Sequence, residues 1–280
     1  MISVTSAQLL SWIAAFIWPL SRVLGLISIA PPFSNGRVPV RVKLMLGIFI
    51  SVLLTPTVPP LPAMDPMSLP GLLIVVQQMI IGLAMGTVMR VMFAAVEMAG
   101  QMVSMTMGLG FAAFFDPMSQ GQTAAISQVF SLLATLIFLA VNGHLVVISI
   151  LADSFVTLPI SAQPMSTEGI RHMVDWCAVI FSMGLQLSMP ILGVLLVTNL
   201  ALGVLSRAAP QLNLFGIGFP ITLATGFVMI AISLPYMLTP MERLLNNSYQ
   251  MMQLIGAAPD ANARPPALLK PLAPSPSIRR

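Results

Sequence analysis

Residues 71–107 read GLLIVVQQMIIGLAMGTVMRVMFAAVEMAGQMVSMTM, and this stretch decides the fold. A buried strand occupies only about four to eight residues, and a barrel strand alternates polar with apolar side chains. Neither description fits an apolar run of this length, so it is helical. One membrane span needs about 20 mostly apolar residues. The segment is therefore too long for a single straight span, and a bend or exit is expected near Gly100.

The rest of the chain repeats the pattern. Six apolar segments stand out, at about residues 9–30, 44–58, 71–107, 124–158, 176–204 and 217–238. The first carries no basic side chain before its apolar run and is read as a retained helix rather than a cleaved signal. Between the second and third, Pro56, Pro59, Pro60, Pro62, Pro66 and Pro70 exclude a continuous helix. A short polar connection follows Pro159, and from Gly256 a tail rich in Pro and Ala carries scattered charge. Such a composition buries too little to order itself. The expectation is an all-α protein with no β-sheet, one helical domain over residues 1–250 and a flexible tail over 251–280.

Composition places these helices at a membrane. Apolar residues make up 57% of the 280 and charged residues 7%, against roughly 25% charged in soluble domains. Mean hydropathy is +0.96. The net charge of +4 does not signal nucleic acid, because the cations are scattered through loops and tail without a basic stripe. Topology is awkward: Arg37, Arg41 and Lys43 favour a cytoplasmic first connection, yet six crossings would place the equally basic tail outside. Either one segment does not cross, or several form hairpins buried in a larger assembly.

Chemistry is sparse. Cys177 is the single cysteine and reads as a packing residue, so neither an intrachain disulfide nor a Cys-rich metal site is available. His144 and His172 lack any partnering ligand motif, and His144 reads as a satisfied helix histidine. No nucleophile elbow or phosphate-binding loop occurs. No enzyme activity, cofactor or metal is expected.

Arg90 and Glu97 are the charges expected to be buried within the bundle. A charge in an apolar span costs roughly 2.5–3.5 kcal/mol and so faces protein or water. Their spacing puts them on one helix face, about 10 Å apart along the axis. A structural ion pair, a conduction role and docking to a neighbouring subunit are all open. Gly82 and Gly86 form a GxxxG pair, and Ala94, Gly100, Gly193 and Gly203 add small positions that let helices approach closely. Methionine is abundant, at 22 residues. Its flexible thioether suits irregular contacts.

The most pointed stretch is Met107-Gly108-Leu109-Gly110-Phe111-Ala112-Ala113-Phe114-Phe115-Asp116-Pro117. Gly108 and Gly110 loosen the helix, and Asp116-Pro117 marks a turn. Irregular backbone at membrane depth is tolerated only where protein buries it or it lines a cavity. An apolar loop there either packs as an aromatic interface loop or seals a passage by dewetting.

Three motifs together resemble the FliR family of flagellar biosynthesis proteins and its counterparts in virulence type III secretion. The first is Asn199-Leu-Ala-Leu-Gly203-Val-Leu-Ser206-Arg207-Ala-Ala-Pro210-Gln211-Leu-Asn213-Leu-Phe215, continuing through Gly216, Gly218 and Pro220. The second runs from Glu97-Met-Ala-Gly100-Gln101 through Gly108-Leu109-Gly110 to Asp116-Pro117, and the third from Arg22-Val-Leu-Gly25 through Pro31, Phe33, Val38-Pro39 and Lys43. The resemblance implies long bent helical hairpins packed mostly against partner subunits. It implies assembly with FliP-type and FliQ-type proteins into a pore for unfolded protein substrates, in the bacterial inner membrane at the base of the flagellum or secretion apparatus. The family's channel plug corresponds to Gly108–Pro117, including Leu109, Gly110, Phe111, Phe114, Phe115 and Asp116. Residues Asn199, Gly203, Arg207, Pro210, Gln211, Asn213 and Phe215 fall to architecture and assembly. A small secondary transporter with broken helices is the alternative, though no pair of matching halves is visible.

Overall fold

The computed structural model describes residues 5–36, 38–62, 64–111, 120–161, 167–209 and 214–255. Among them the regular elements are helices: α1 (Ser6–Ile29), α2 (Val40–Leu54), α3 (Leu69–Thr106), α4 (Gln120–Ala140), α5 (Gly143–Thr157), α6 (Thr167–Trp176), α7 (Val179–Ala208), α8 (Leu214–Ser233) and α9 (Leu238–Ile255). No strand occurs among the described residues. The all-α expectation holds. Five helical stretches are long and apolar enough to cross a membrane, and α4 with α5 makes a sixth if the two count as one broken span.

Local chemistry explains most boundaries. Thr5 caps α1: its Oγ1 accepts from the Gln8 backbone N–H at 3.3 Å, while the Gln8 Oε1 accepts from Thr5 N–H at 3.1 Å. This reciprocal pair satisfies two donors that the first helical turn cannot. The proline-rich connection holds one 3-10 turn, Thr55–Thr57, before Pro70 enters the first turn of α3, where its missing N–H costs nothing. Inside the helices, Thr87, Thr106, Thr135 and Thr198 donate their hydroxyls to the carbonyl four residues back. That contact hides a polar group from hydrocarbon.

Four expectations about segments change. The helix α3 runs unbroken through Gly100, because the missing side chain is used for packing: a Cβ there would lie 2.6 Å from the Ser127 Cα. The fourth segment divides into α4 and α5 at Asn142, whose φ of 55° is left-handed, a conformation that asparagine tolerates. The polar connection after Pro159 contains α6, whose terminal Trp176 is buried and donates its indole N–H to the Val88 carbonyl at 3.3 Å. Past Leu238 the chain is again helical. Met241, Leu244, Leu245, Ser248, Met251, Met252 and Ile255 are buried at the three-and-four spacing of one helix face. Residues 256–280, the greater part of the expected tail, lie outside the described residues.

The chain divides into two compact units. One contains α1, α2, α3 as far as Val91, α5, α6 and the end of α9 from Asn246; the other contains α3 from Met92, α4, α7, α8 and α9 up to Leu245.

In the first unit, α1 lies parallel to α3 at backbone contact. A Cβ on Gly25 would come 2.6 Å from the Met79 carbonyl oxygen, and one on Gly86 would come 2.9 Å from that of Leu26. A Cβ on Gly82 would collide with the Arg22 carbonyl. The GxxxG pair thus packs within this chain. Trp18 on α1 donates to the Gly71 carbonyl at 3.3 Å, which sets the register.

At the centre of this unit sits Arg22, with 0% of its surface exposed. Its Nε donates to Gln78 Oε1 at 2.8 Å. One Nη donates to the Ser154 carbonyl at 2.7 Å and the Ser154 hydroxyl at 3.0 Å, the other to the Leu158 carbonyl at 2.9 Å. The guanidinium also lies 4.4 Å from the Phe155 ring centroid, a cation–π distance. All these partners are neutral. A planar fork of five donors can knit α1, α3 and the end of α5 in a way that a lysine point charge cannot.

In the second unit, α4 runs antiparallel to α3 along a mixed seam. Phe93 meets Phe138 edge-on at 6.0 Å between centroids. Farther along, Ser131 Oγ donates to Glu97 Oε1 at 3.3 Å and Ser127 Oγ to Gln101 Oε1 at 3.1 Å. On another side α7 packs parallel to α3, where Gly184 approaches Met98 and Ala95 and the Ser188 hydroxyl donates to Met102 Sδ at 3.5 Å.

Two substitutions check these contacts. Gly82→Val forces backbone against backbone and should destabilise the detergent-solubilised protein by about 1–3 kcal/mol, read as a lowered thermal midpoint. Arg22→Leu leaves buried acceptors without a donor and should cost about 3–5 kcal/mol. Arg22→Lys should recover only part of that loss in the same melting experiment.

Candidate functional site

The helix α3 ends where the proposed loop begins. Its last turn leaves carbonyls without intrahelical partners, and Gly108, with φ of +88°, turns the chain away. Only glycine adopts that conformation without strain. Leu109–Phe111 then form one 3-10 turn; Gly108, Leu109 and Gly110 are half-buried. The Phe111 side chain, and Phe114, Phe115, Asp116 and Pro117, lie outside the described residues.

This exit is seated on α8. The Met107 side chain is fully buried, and a Cβ added to Gly226 would lie 2.5 Å from its Cγ and Cε. The Thr222 hydroxyl lies 3.1 Å from the Met107 carbonyl, which it can serve as donor. A Cβ on Gly108 would meet the Phe219 ring edge at 3.3 Å. The structure therefore joins two of the sequence motifs: the glycine-rich end of α3 meets the continuation of the α7–α8 motif past Gly218 and Pro220. Thr222 and Gly226 carry this contact, and sequence reasoning missed both. Their only signal was position, one and two turns after the Gly-Phe-Pro run.

The charges are distributed otherwise than expected. Arg90 is exposed on this chain and Glu97 half-buried; they belong to different units. The expectation that both are buried is corrected for Arg90, whose face of α3 looks outward. Arg22 holds the buried position instead. An arginine deep in an apolar run was a readable signal, but nothing local names Gln78 and Ser154 as its partners. Glu97 lies in the α3–α4 seam beside a cavity of about 430 Å³, lined also by Gln101, Ser127 and Gln128.

The α7–α8 motif is described in part. Asn199, Gly203 and Arg207 sit on the last turns of α7, all exposed, and open space surrounds Gly193 and Gly203. Arg207 occupies the final turn, where a cation suits the negative end of the helix dipole. Pro210, Gln211 and Asn213 lie outside the described residues. Phe215 is the second residue of α8, with only its backbone described. Two smaller readings change as well. Cys177 is exposed, not packed, and the buried His144 Nδ1 has no hydrogen-bond partner among the described residues. Among the described residues, no group of three or more His, Cys, Asp or Glu could hold a metal ion.

The exposed surface is strongly apolar. Half of the most apolar window of α3 is buried within the chain (50%), but only 22% of those of α2, of α6–α7 and of α8–α9. Leu196 and Leu200 are each 70% exposed. Such faces require lipid or another protein.

Comparison with known proteins agrees with this picture. The family described as bacterial export proteins, family 1, matches residues 13–248. The flagellar biosynthetic protein FliR of Escherichia coli K12 is 42% identical over 254 residues, covering 90% of this chain and 96% of the relative. That of Pectobacterium carotovorum is 40% identical over 252 residues, covering 90% and 96%. The Bacillus subtilis FliR is 25% identical over 243 residues, covering 85% and 93%. With its membrane-length helices, the chain belongs to family 1 of the bacterial export proteins, the FliR family of flagellar biosynthesis, and is a membrane protein.

Proposed function

We propose that this chain is a subunit of the core export gate of the flagellar apparatus, in the bacterial inner membrane at the base of the flagellum. It assembles there with FliP-type and FliQ-type subunits around a pore for unfolded protein substrates. The loop from Gly108 to Pro117 closes the pore from within. The chain performs no covalent chemistry; it supplies walls and a seal.

The observation that carries this reading is the contrast at the end of α3. Among the described helices it is the most enclosed, yet it ends in a left-handed glycine seated on α8, at the start of the aromatic stretch 111–115. A hydrophobic element on a rigid root can exclude water and ions from a passage while remaining displaceable by a substrate chain. The exposed apolar faces of α2, α7 and α8 supply the surface against which partner subunits pack, and the open glycines Gly193 and Gly203 allow close helix approach there. Arg207 and the turn after it then serve assembly.

Deleting Phe111–Phe115 should make vesicles bearing the complete complex leak ions or small dyes, measured as loss of an imposed gradient. Tight vesicles from the deletion would remove the plug assignment. Arg207→Ala should lower recovery of assembled complex several-fold, as expected for roughly 1 kcal/mol lost at a helix terminus. Normal assembly with a selective loss of certain substrates would instead assign this turn to recognition. Movement of a small solute by the isolated chain in liposomes would favour the transporter reading.

A further inference from the structure

We propose that the polar groove around Glu97, in the seam between α3 and α4, is a docking site for a helix of a neighbouring subunit, which inserts a lysine or arginine side chain there. The inference rests on the reading of this chain as one subunit of an assembly. It names a polar surface distinct from the apolar faces of α2, α7 and α8.

The groove measures about 430 Å³, and the described residues that line it all belong to the second unit. Glu97 and Gln101 lie about one turn apart on α3, and Ser127, Gln128 and Ser131 come from α4. The lining therefore carries one carboxylate, two carboxamides and two hydroxyls. Ser131 Oγ donates to Glu97 Oε1 at 3.3 Å and Ser127 Oγ to Gln101 Oε1 at 3.1 Å. Both hydroxyl hydrogens are thus spent across the seam, where they hold the two α3 side chains in place. Gln128 stands exposed at the rim.

What covers such a groove is constrained from two sides. Hydrocarbon is a poor cover, because a carboxylate and two carboxamides lose their hydration against it. Bulk water is a poor cover for the surroundings: Val129 and Leu132 flank the groove on α4, Phe181 follows Ile180 on α7, and all three are exposed. A protein face with apolar side chains around one polar group meets both demands. The charge then selects that group. A carboxylate only accepts, and the two serine oxygens have already given their hydrogens, so the groove offers a negative charge among lone pairs. An ammonium with three donors or a guanidinium with five answers it, and charge-assisted bonds of this kind are the strong ones. Size agrees, since one water takes about 30 Å³ of liquid and a bare ion would leave most of the space empty. A long cationic side chain fills it. The serine bonds orient the carboxylate before the partner arrives, which lowers the cost of docking.

The test uses the full chain purified from membranes with its partner subunits. A photo-crosslinking amino acid in place of Gln128 should attach to one partner helix, and mass spectrometry of the joined peptide should find a lysine or arginine in it. Glu97→Gln removes the charge but keeps an acceptor for Ser131. It should lower recovery of the complex about tenfold, as expected for one side of a desolvated charge pair, while the melting midpoint of the isolated chain stays native. Glu97→Lys should lower recovery further, and combining it with a carboxylate at the crosslinked partner position should restore it. Attachment to lipid alone, a joined peptide without a cation, native recovery of Glu97→Gln, or failure of the exchanged pair to rescue overturns the docking site. An equal loss of stability in the isolated Glu97→Gln chain overturns it too, since the carboxylate would then serve the seam. If the native chain itself purifies without partner subunits, the assembly reading has failed and this inference falls with it.

Discussion

Hydrocarbon offers no hydrogen bonds, so a polar group carried among apolar helices is costly unless it finds a partner in protein. Arg22 shows the constraint at its most severe. A buried cation usually demands a carboxylate, yet here four hydrogen bonds to neutral oxygens and one aromatic face surround it. Those acceptors come from two separated regions of sequence and the arginine from a third, so satisfying one guanidinium fixes the mutual placement of α1, α3 and the end of α5. The glycine contacts between α1 and α3 are compatible with this network because both impose the same parallel register. Moving either helix by a turn would strand the arginine and drive backbone into backbone.

The helix α3 contributes to both compact units, and its chemistry changes along its length. Its first half meets α1 through Gly82 and Gly86 and offers Gln78 to Arg22. Its second half meets α4 through Gly100 and pairs Glu97 and Gln101 with serines at matching four-residue spacing. In each half a glycine permits close approach and a polar side chain sets register. Apolar packing alone is tolerant of sliding, whereas a hydrogen bond formed between two helices at membrane depth is not.

The end of α3 follows a different rule. Here the backbone leaves the helix, the terminal carbonyls must be served, and the servant is a hydroxyl with an alternative acceptor. The Arg22 network differs: its acceptors are a side-chain amide, a hydroxyl and two carbonyls gathered around one guanidinium. The two sites therefore meet the same constraint in two ways, one with a guanidinium and one with a hydroxyl. The uncovered faces of α2, α7 and α8 extend the constraint outward, to surfaces that the chain leaves for its membrane surroundings and its partners.

Local sequence determined the helical class, the long apolar segments, the break at the proline-rich connection and the departure of the chain from helix at Gly108. Each of these depends on propensities and summed apolar length within a few consecutive residues. The family was legible too, because its motifs are contiguous. Tertiary structure decided which charge is buried: Arg90 and Arg22 look alike in sequence, but only Arg22 faces Gln78, 56 positions away, and Ser154, 132 positions away. It also sorted the glycines, turning Gly82, Gly86 and Gly100 inward and leaving Gly193 and Gly203 open. Thr222 acquired its role in the same way, from a carbonyl 115 positions earlier in the chain. Pairings across such separations are set by how helices meet, and composition along one helix does not contain that information.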